Sequence, residues 1–106
     1  MTKSKGPKIY LQLKRRHPRF FDAVDRLGQA VRKEGPLDEK TVQLVQLAAA
    51  AAIRSEGAVH SHVRRALEAG ATPDEIRQTL LVLTSTIGFP NVIAASSWAA
   101  DHLPKK

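Results

Sequence analysis

Apolar residues Phe20, Val24, Leu27 and Val31 recur at i, i+4, i+7 and i+11, which is one face of a helix. Pro18 stands near its first turn, and Gly35-Pro36 supplies its stop. Upstream, Ile9, Leu11 and Leu13 alternate, as a helical turn or an extended arm would; helix is the favoured reading. Leu37-Asp38 opens the next element: Asp38 can cap free amides, and Leu37 can pack on Val42 as a hydrophobic staple. The run LVQLAAAAAI (44–53) crowds alanine onto every face, with no charge between Lys40 and Arg54. It predicts a central helix that neighbouring backbones approach closely. A third helix is predicted over 57–69, with Val59, Val63, Ala66 and Leu67 inward and Gly70 as its left-handed end. Its Arg64–Glu68 pair is worth only about 0.2–0.5 kcal/mol. Thr72-Pro73-Asp74-Glu75 reads as a capping box, and Ile76, Leu80, Leu83 and Ile87 give that fourth helix its core face. Gly88-Phe89-Pro90 breaks it, a fifth helix follows over about 90–102, and Pro104 ends the fold. No strand alternation or internal repeat interrupts the pattern. The fold class is all-α, with one domain over 18–104 preceded by a basic arm, 1–17.

Composition adds three constraints. With 106 residues, 42% of them apolar, a lone chain buries a modest share of its surface, so assembly into a homo-oligomer is expected. The net charge of +7 is concentrated in residues 1–19, which hold seven Lys or Arg and no acid. Such an arm can contact phosphates, but with a single aromatic, Tyr10, and no reading helix, a solvated terminus is favoured over nucleic-acid binding. The absence of cysteine excludes disulfides, thiolate zinc sites and cysteine redox chemistry. No apolar run approaches the roughly 18 residues of a membrane span. The start, MTKSKGPK, lacks the apolar stretch of a secretory signal, and a cytoplasmic location follows by default.

Chemistry centres on EGAVHSHVRR, residues 56–65. His60 and His62 lie two residues apart, which on a helix turns them about 200° from each other, so they cannot chelate one metal from one side. No metal and no cofactor are expected. His62 lies at the edge of the apolar stripe, where an imidazole can transfer protons near neutrality. On spacing alone, a histidine satisfied by a carbonyl or a water is the favoured reading. His60 is expected to face solvent near Arg64, and His17 and His102 to be exposed at helix ends. Gln43 and Gln46 share a helix face, and with Ser55 they flank the alanine run, where they can line a pocket or bond across an interface. No Ser-His-Asp order, glycine-rich phosphate loop or carboxylate pair stands out.

The stretch LDEKTVQLVQLAAAAAIRSEGAVHSHVRRALEAGATPDEIRQTLLVLTSTIGFPNVIAAS resembles the carboxymuconolactone decarboxylase family, which shares the AhpD-like fold. HVRRALEAGATPDEI is the most specific part, and GFPNVIAA resembles the turn before the family's last helix. The resemblance implies an all-α fold built round a helical hairpin, assembled as a trimer or hexamer. In the redox branch of the family, a glutamate and a histidine activate a CxxC thiolate. Gln43 stands at that glutamate, Ser55 and Ala58 at the two cysteines, and His62 at the histidine. Serine is a far weaker nucleophile than a thiolate and forms no disulfide, so thiol peroxidase activity is not expected. The decarboxylase branch has no cysteine pair and keeps the histidine, followed two residues later by a basic residue, here Arg64. Its reaction removes carbon dioxide from a carboxylated lactone and returns a proton to carbon. The resemblance then implies His62 as general acid or base, with Arg54 or Arg64 holding a carboxylate and Gln43 and Ser55 beside it. That branch usually carries a glutamate four residues before the histidine, where this chain has Ala58. The rival reading is a non-catalytic oligomeric binding or scaffold protein, favoured by the inert groups at 43, 55 and 58.

Overall fold

The structure is a computed structural model that describes residues 5–105, with side chains from Lys8 onward. The described residues form helices and turns and no strand. The order is α1 (Lys5–Arg16), α2 (Pro18–Arg32), α3 (Glu39–Ala52), α4 (Glu56–Glu68), α5 (Pro73–Leu81), α6 (Thr84–Ile87) and α7 (Phe89–Ala99), followed by a 3-10 turn, Ala100–His102. The start of the basic arm, residues 1–4, lies outside the described residues; the rest of it is α1 and His17.

The chain divides after Pro36 into two compact units. The first holds α1 and α2. Pro18 opens α2 in its first turn, where its missing N–H costs nothing. The Tyr10 ring meets Phe21 edge-on at 5.3 Å. The predicted apolar face of α2 is real, yet no residue of that helix is buried: Phe20, Val24, Leu27 and Val31 all stand exposed.

The second unit is built on α3 and α4, joined by a short turn and closed by α5 and α7. Asp38 caps α3 as predicted, accepting from the Thr41 amide at 2.8 Å. Thr41, through its side chain first and its amide second, holds the Asp38 carboxyl below the ordinary range. Leu37, the proposed staple, stays about half exposed. Alanines 50 and 51 and Leu47 are buried against Val59, Val63 and Ala66 of α4, with Ile76, Leu80, Ala95 and Ala99 completing the core. The Thr72–Glu75 capping box forms in full. The Thr72 amide lowers the Glu75 carboxyl first and Lys40 second, and Lys40 Nζ reaches Glu75 at 3.2 Å to tie α3 to α5.

The fourth predicted helix, drawn through Ile87, breaks after Leu81. The Thr84 hydroxyl donates to the Leu81 carbonyl at 2.8 Å, the kind of local side-chain bond that competes with a helical ladder. Leu83 and Ile87 still pack against the core.

Helices α3 and α4 end in the same way. Ser55 N–H bonds to Ala50 O and Arg54 N–H to Ala51 O; Ala71 N–H bonds to Ala66 O and Gly70 N–H to Leu67 O. Each is a Schellman end with its left-handed residue just past the cap. Gly70 takes that place at φ 101°, whereas at the end of α3 an arginine, Arg54, takes it at φ 58°. A side chain there costs about 1–2 kcal/mol that glycine avoids.

Candidate functional site

The turn through Arg54 sends α4 back along α3, which puts His62 opposite Gln43. His62 Nδ1 lies 2.9 Å from Gln43 Oε1. Gln43 is a fully buried polar side chain, 1% exposed, and its amide Nε2 donates to Glu39 Oε2 at 2.9 Å. An amide oxygen only accepts, so the bonded His62 Nδ1 carries hydrogen. The lone pair of the neutral ring is then on Nε2. His62 is half-buried on the edge of the α4 core stripe, as its spacing predicts.

The other site residues are dispersed. Ser55 is the N-cap of α4, and its hydroxyl oxygen accepts from the Ala58 amide at 3.4 Å. The two positions where the resemblance puts a dithiol are thus linked by a helix cap. The exposed Arg54 donates to Asn91 on α7. Arg64 is exposed two residues past His62, about 200° round the helix. Gln46, one turn beyond Gln43, has a buried Oε1 with no hydrogen-bond partner among the described residues.

His60 departs from expectation. It is not solvated: its side chain is 21% exposed, its Nδ1 lies 2.7 Å from His102 Nε2, and its Nε2 lies 3.3 Å from Glu56 Oε2 and 4.0 Å from Asp101 Oδ2. His102, expected at an exposed end, is half-buried in this contact. Helical spacing places His60 on the other side of α4 from His62, and the last turn of the chain, with His102 and Asp101, folds over that side. The carboxylates and His102 approach opposite nitrogens of the His60 ring and do not converge on one point. Among the described residues no group of three or more His, Asp or Glu side chains is placed to hold a metal ion. None of the described helices is long and apolar enough to cross a membrane. A groove of about 450 Å³ lies elsewhere, between α5, α7 and the chain end, with Arg77, Leu80, Ser96 and Leu103 in its walls.

Sequence reading missed Glu39. Its place four residues before Gln43 is the signal that could have revealed it, because side chains at that spacing meet on a helix.

The chain is 36% identical over 83 residues to MJ1511, an uncharacterised protein of Methanocaldococcus jannaschii, and the match covers 78% of each chain. Its structure superposes with a TM-score of 0.79 on the crystal structure of apo-lpg0406, a carboxymuconolactone decarboxylase family protein from Legionella pneumophila. Identity there is 25%, over 92% of this chain and 87% of the other. The family model for carboxymuconolactone decarboxylases matches residues 18–101, a span that includes Gln43, Ser55 and His62. This cysteine-less chain therefore belongs to the carboxymuconolactone decarboxylase family.

Proposed function

We propose that the protein performs proton-transfer chemistry, decarboxylation included, on a small carboxylate or lactone, with His62 as the proton-carrying group. The supporting observation is the chain Glu39–Gln43–His62. Gln43 Oε1 accepts from His62 Nδ1–H whether the ring is neutral or charged, so the imidazole need not turn as a proton enters or leaves Nε2. In decarboxylation the carbon–carboxylate bond breaks, its electron pair moves onto the conjugated lactone carbonyl, and protonated His62 returns a proton to carbon. Arg54, which also meets Asn91, is the cation left for a substrate carboxylate, since Arg64 lies about 200° round α4 from His62; Ser55 retains a hydroxyl proton to donate. The test is release of carbon dioxide from carboxylated lactones, followed with wild type and His62→Ala. Turnover that is equal in the two proteins overturns the reading.

A second reading, a non-catalytic oligomeric binding or scaffold protein, draws on the other side chains. Ser55 is engaged as a helix cap and Arg54 with Asn91. Absence of turnover, with His62 resonances unmoved by every small carboxylate, favours it.

In either case the working form is a homo-oligomer, trimer or hexamer by the family resemblance. The support is the uncovered apolar face of α2, together with Val45, Leu81, Phe89 and Ile93 exposed in the second unit. Helices draw most of their stability from packing an apolar face, and α2 has no buried residue. Sedimentation that returns a folded monomer at all concentrations overturns this.

A further inference from the structure

We infer that Glu39 is a positioning residue that selects the tautomer of His62 through the side-chain amide of Gln43. The inference rests on the proton-transfer reading for its functional meaning, but not for its chemistry. Gln43 can face its two neighbours in either sense: oxygen to His62 and nitrogen to Glu39, or the reverse. The two senses have opposite consequences, since an amide nitrogen facing Nδ1 forces the histidine proton onto Nε2. Glu39 removes the choice. A carboxylate only accepts hydrogen bonds, so the group it meets at 2.9 Å is the amide nitrogen of Gln43. The amide oxygen is left for His62, also at 2.9 Å, and the histidine carries its proton on Nδ1. Gln43 is buried and held from both ends, so it transmits the choice instead of averaging it.

Glu39 is itself exposed, the first residue of α3, and it bonds the Gln43 amide nitrogen. Its effect passes through one neutral group. Unlike a carboxylate at position 43, the amide delivers orientation to the ring without delivering a full negative charge. His62 thus keeps a defined proton-bearing nitrogen, Nδ1, and the Gln43 contact itself brings no ion pair to the ring. An acidic residue in the first turn of a helix also stabilises the helix through its dipole. That role concerns folding and leaves the histidine tautomer unchanged, so the two roles separate by experiment.

The experiment reads the tautomer directly, in full-length protein with ¹⁵N-labelled histidine. Long-range ¹H–¹⁵N correlation spectra are recorded at a pH high enough for neutral rings, with His62 assigned by loss of its signals in His62→Gln. Wild type should show Nδ1 protonated and Nε2 bare. Glu39→Lys presents a donor in place of the acceptor, so Gln43 should turn and the ratio of the two His62 tautomers should move towards protonated Nε2. Glu39→Gln, which can act in either sense, should shift the ratio the same way but less far, and it serves where Glu39→Lys does not fold. The His60 pattern should be unchanged throughout. A wild-type His62 with its proton on Nε2, or a His62 tautomer ratio unaffected by every folded Glu39 variant, overturns the inference. A tautomer that follows residue 39 in a protein without turnover leaves the inference standing and removes only the proposed activity.

Discussion

His60 and His62 share one helix and are separated by one residue, yet their surroundings prescribe opposite tautomers. His62 gives its Nδ1 hydrogen to an amide oxygen, so its neutral lone pair is on Nε2. His60 has the carboxylates of Glu56 and Asp101 at Nε2, so the hydrogen belongs there and Nδ1 accepts from His102. In both cases an acceptor-only carboxylate decides, directly for His60 and through Gln43 for His62. The same ring therefore becomes a part of the fold on one side of α4 and a candidate reagent on the other. Residue type does not distinguish the two; their sides of α4 and the partners found there do.

The sharpest way to break this contrast is activity. On a carboxylated lactone, His62→Ala should lose about 10²- to 10⁴-fold of rate, the range for a general acid–base group, whereas His60→Ala should retain most of it. Equal losses would mean that the two sides of α4 are one site. Stability should reverse the order of interest. His60→Ala and His102→Ala should each cost about 1 kcal/mol in urea melts through a part-buried hydrogen bond. The double variant should cost clearly less than the sum, because both remove the same contact. Strict additivity would deny that the pair interacts.

Gln43→Glu sharpens the comparison from the other end. With a carboxylate directly on Nδ1, His62 should titrate at higher pH than in wild type, and His60 should not follow. NMR titration of both rings checks this. The new like-charge pair with Glu39 at i, i+4 should cost a further few tenths of a kcal/mol.

The smallest expected effect is a slope. Asp38 and Glu75 have folded-state carboxyls below their ordinary range, held down chiefly by the side chain and amide of Thr41 and by the Thr72 amide, respectively. Their contribution is therefore complete above the unfolded carboxylate values, about pH 4, and is lost as pH falls through the lower folded values. Both anchor the start of α3, which carries Glu39 and Gln43. Thermal melts of Asp38→Ala and Glu75→Gln should depend less steeply on pH below about 4 than wild type. Unchanged slopes would show that other groups govern acid unfolding.

Much of the frame behind this contrast is legible in the sequence because its signals are local. Asp38, Gly70 and the Thr72–Glu75 box each act within a few residues, and the α4 and α5 core stripes follow from period alone. His62 at the edge of a stripe is legible for the same reason. His60 is not: its partner His102 is 42 positions away, and only the packing of the last turn joins them. Arg54 is equally silent, since arginine gives no sign of a left-handed residue, although the same motif at Gly70 announces itself. The break after Leu81 lacks the glycine or proline that would mark it and turns on one threonine hydroxyl.

The distribution of large and small apolar residues has a calorimetric consequence. The buried set is mainly alanine and valine, while Phe20, Leu27, Ile53, Leu81 and Phe89 remain more than half exposed in the single chain. The heat-capacity change of unfolding follows newly exposed apolar area, at about 12–15 cal/mol/K per residue for ordinary domains. A lone chain of this kind has less such area left to expose, so its heat-capacity increment should fall below that range and its stability curve should be shallow. A chain that associates through those residues regains the missing increment. The curvature of stability with temperature thus reports how much of the outward apolar surface has found cover.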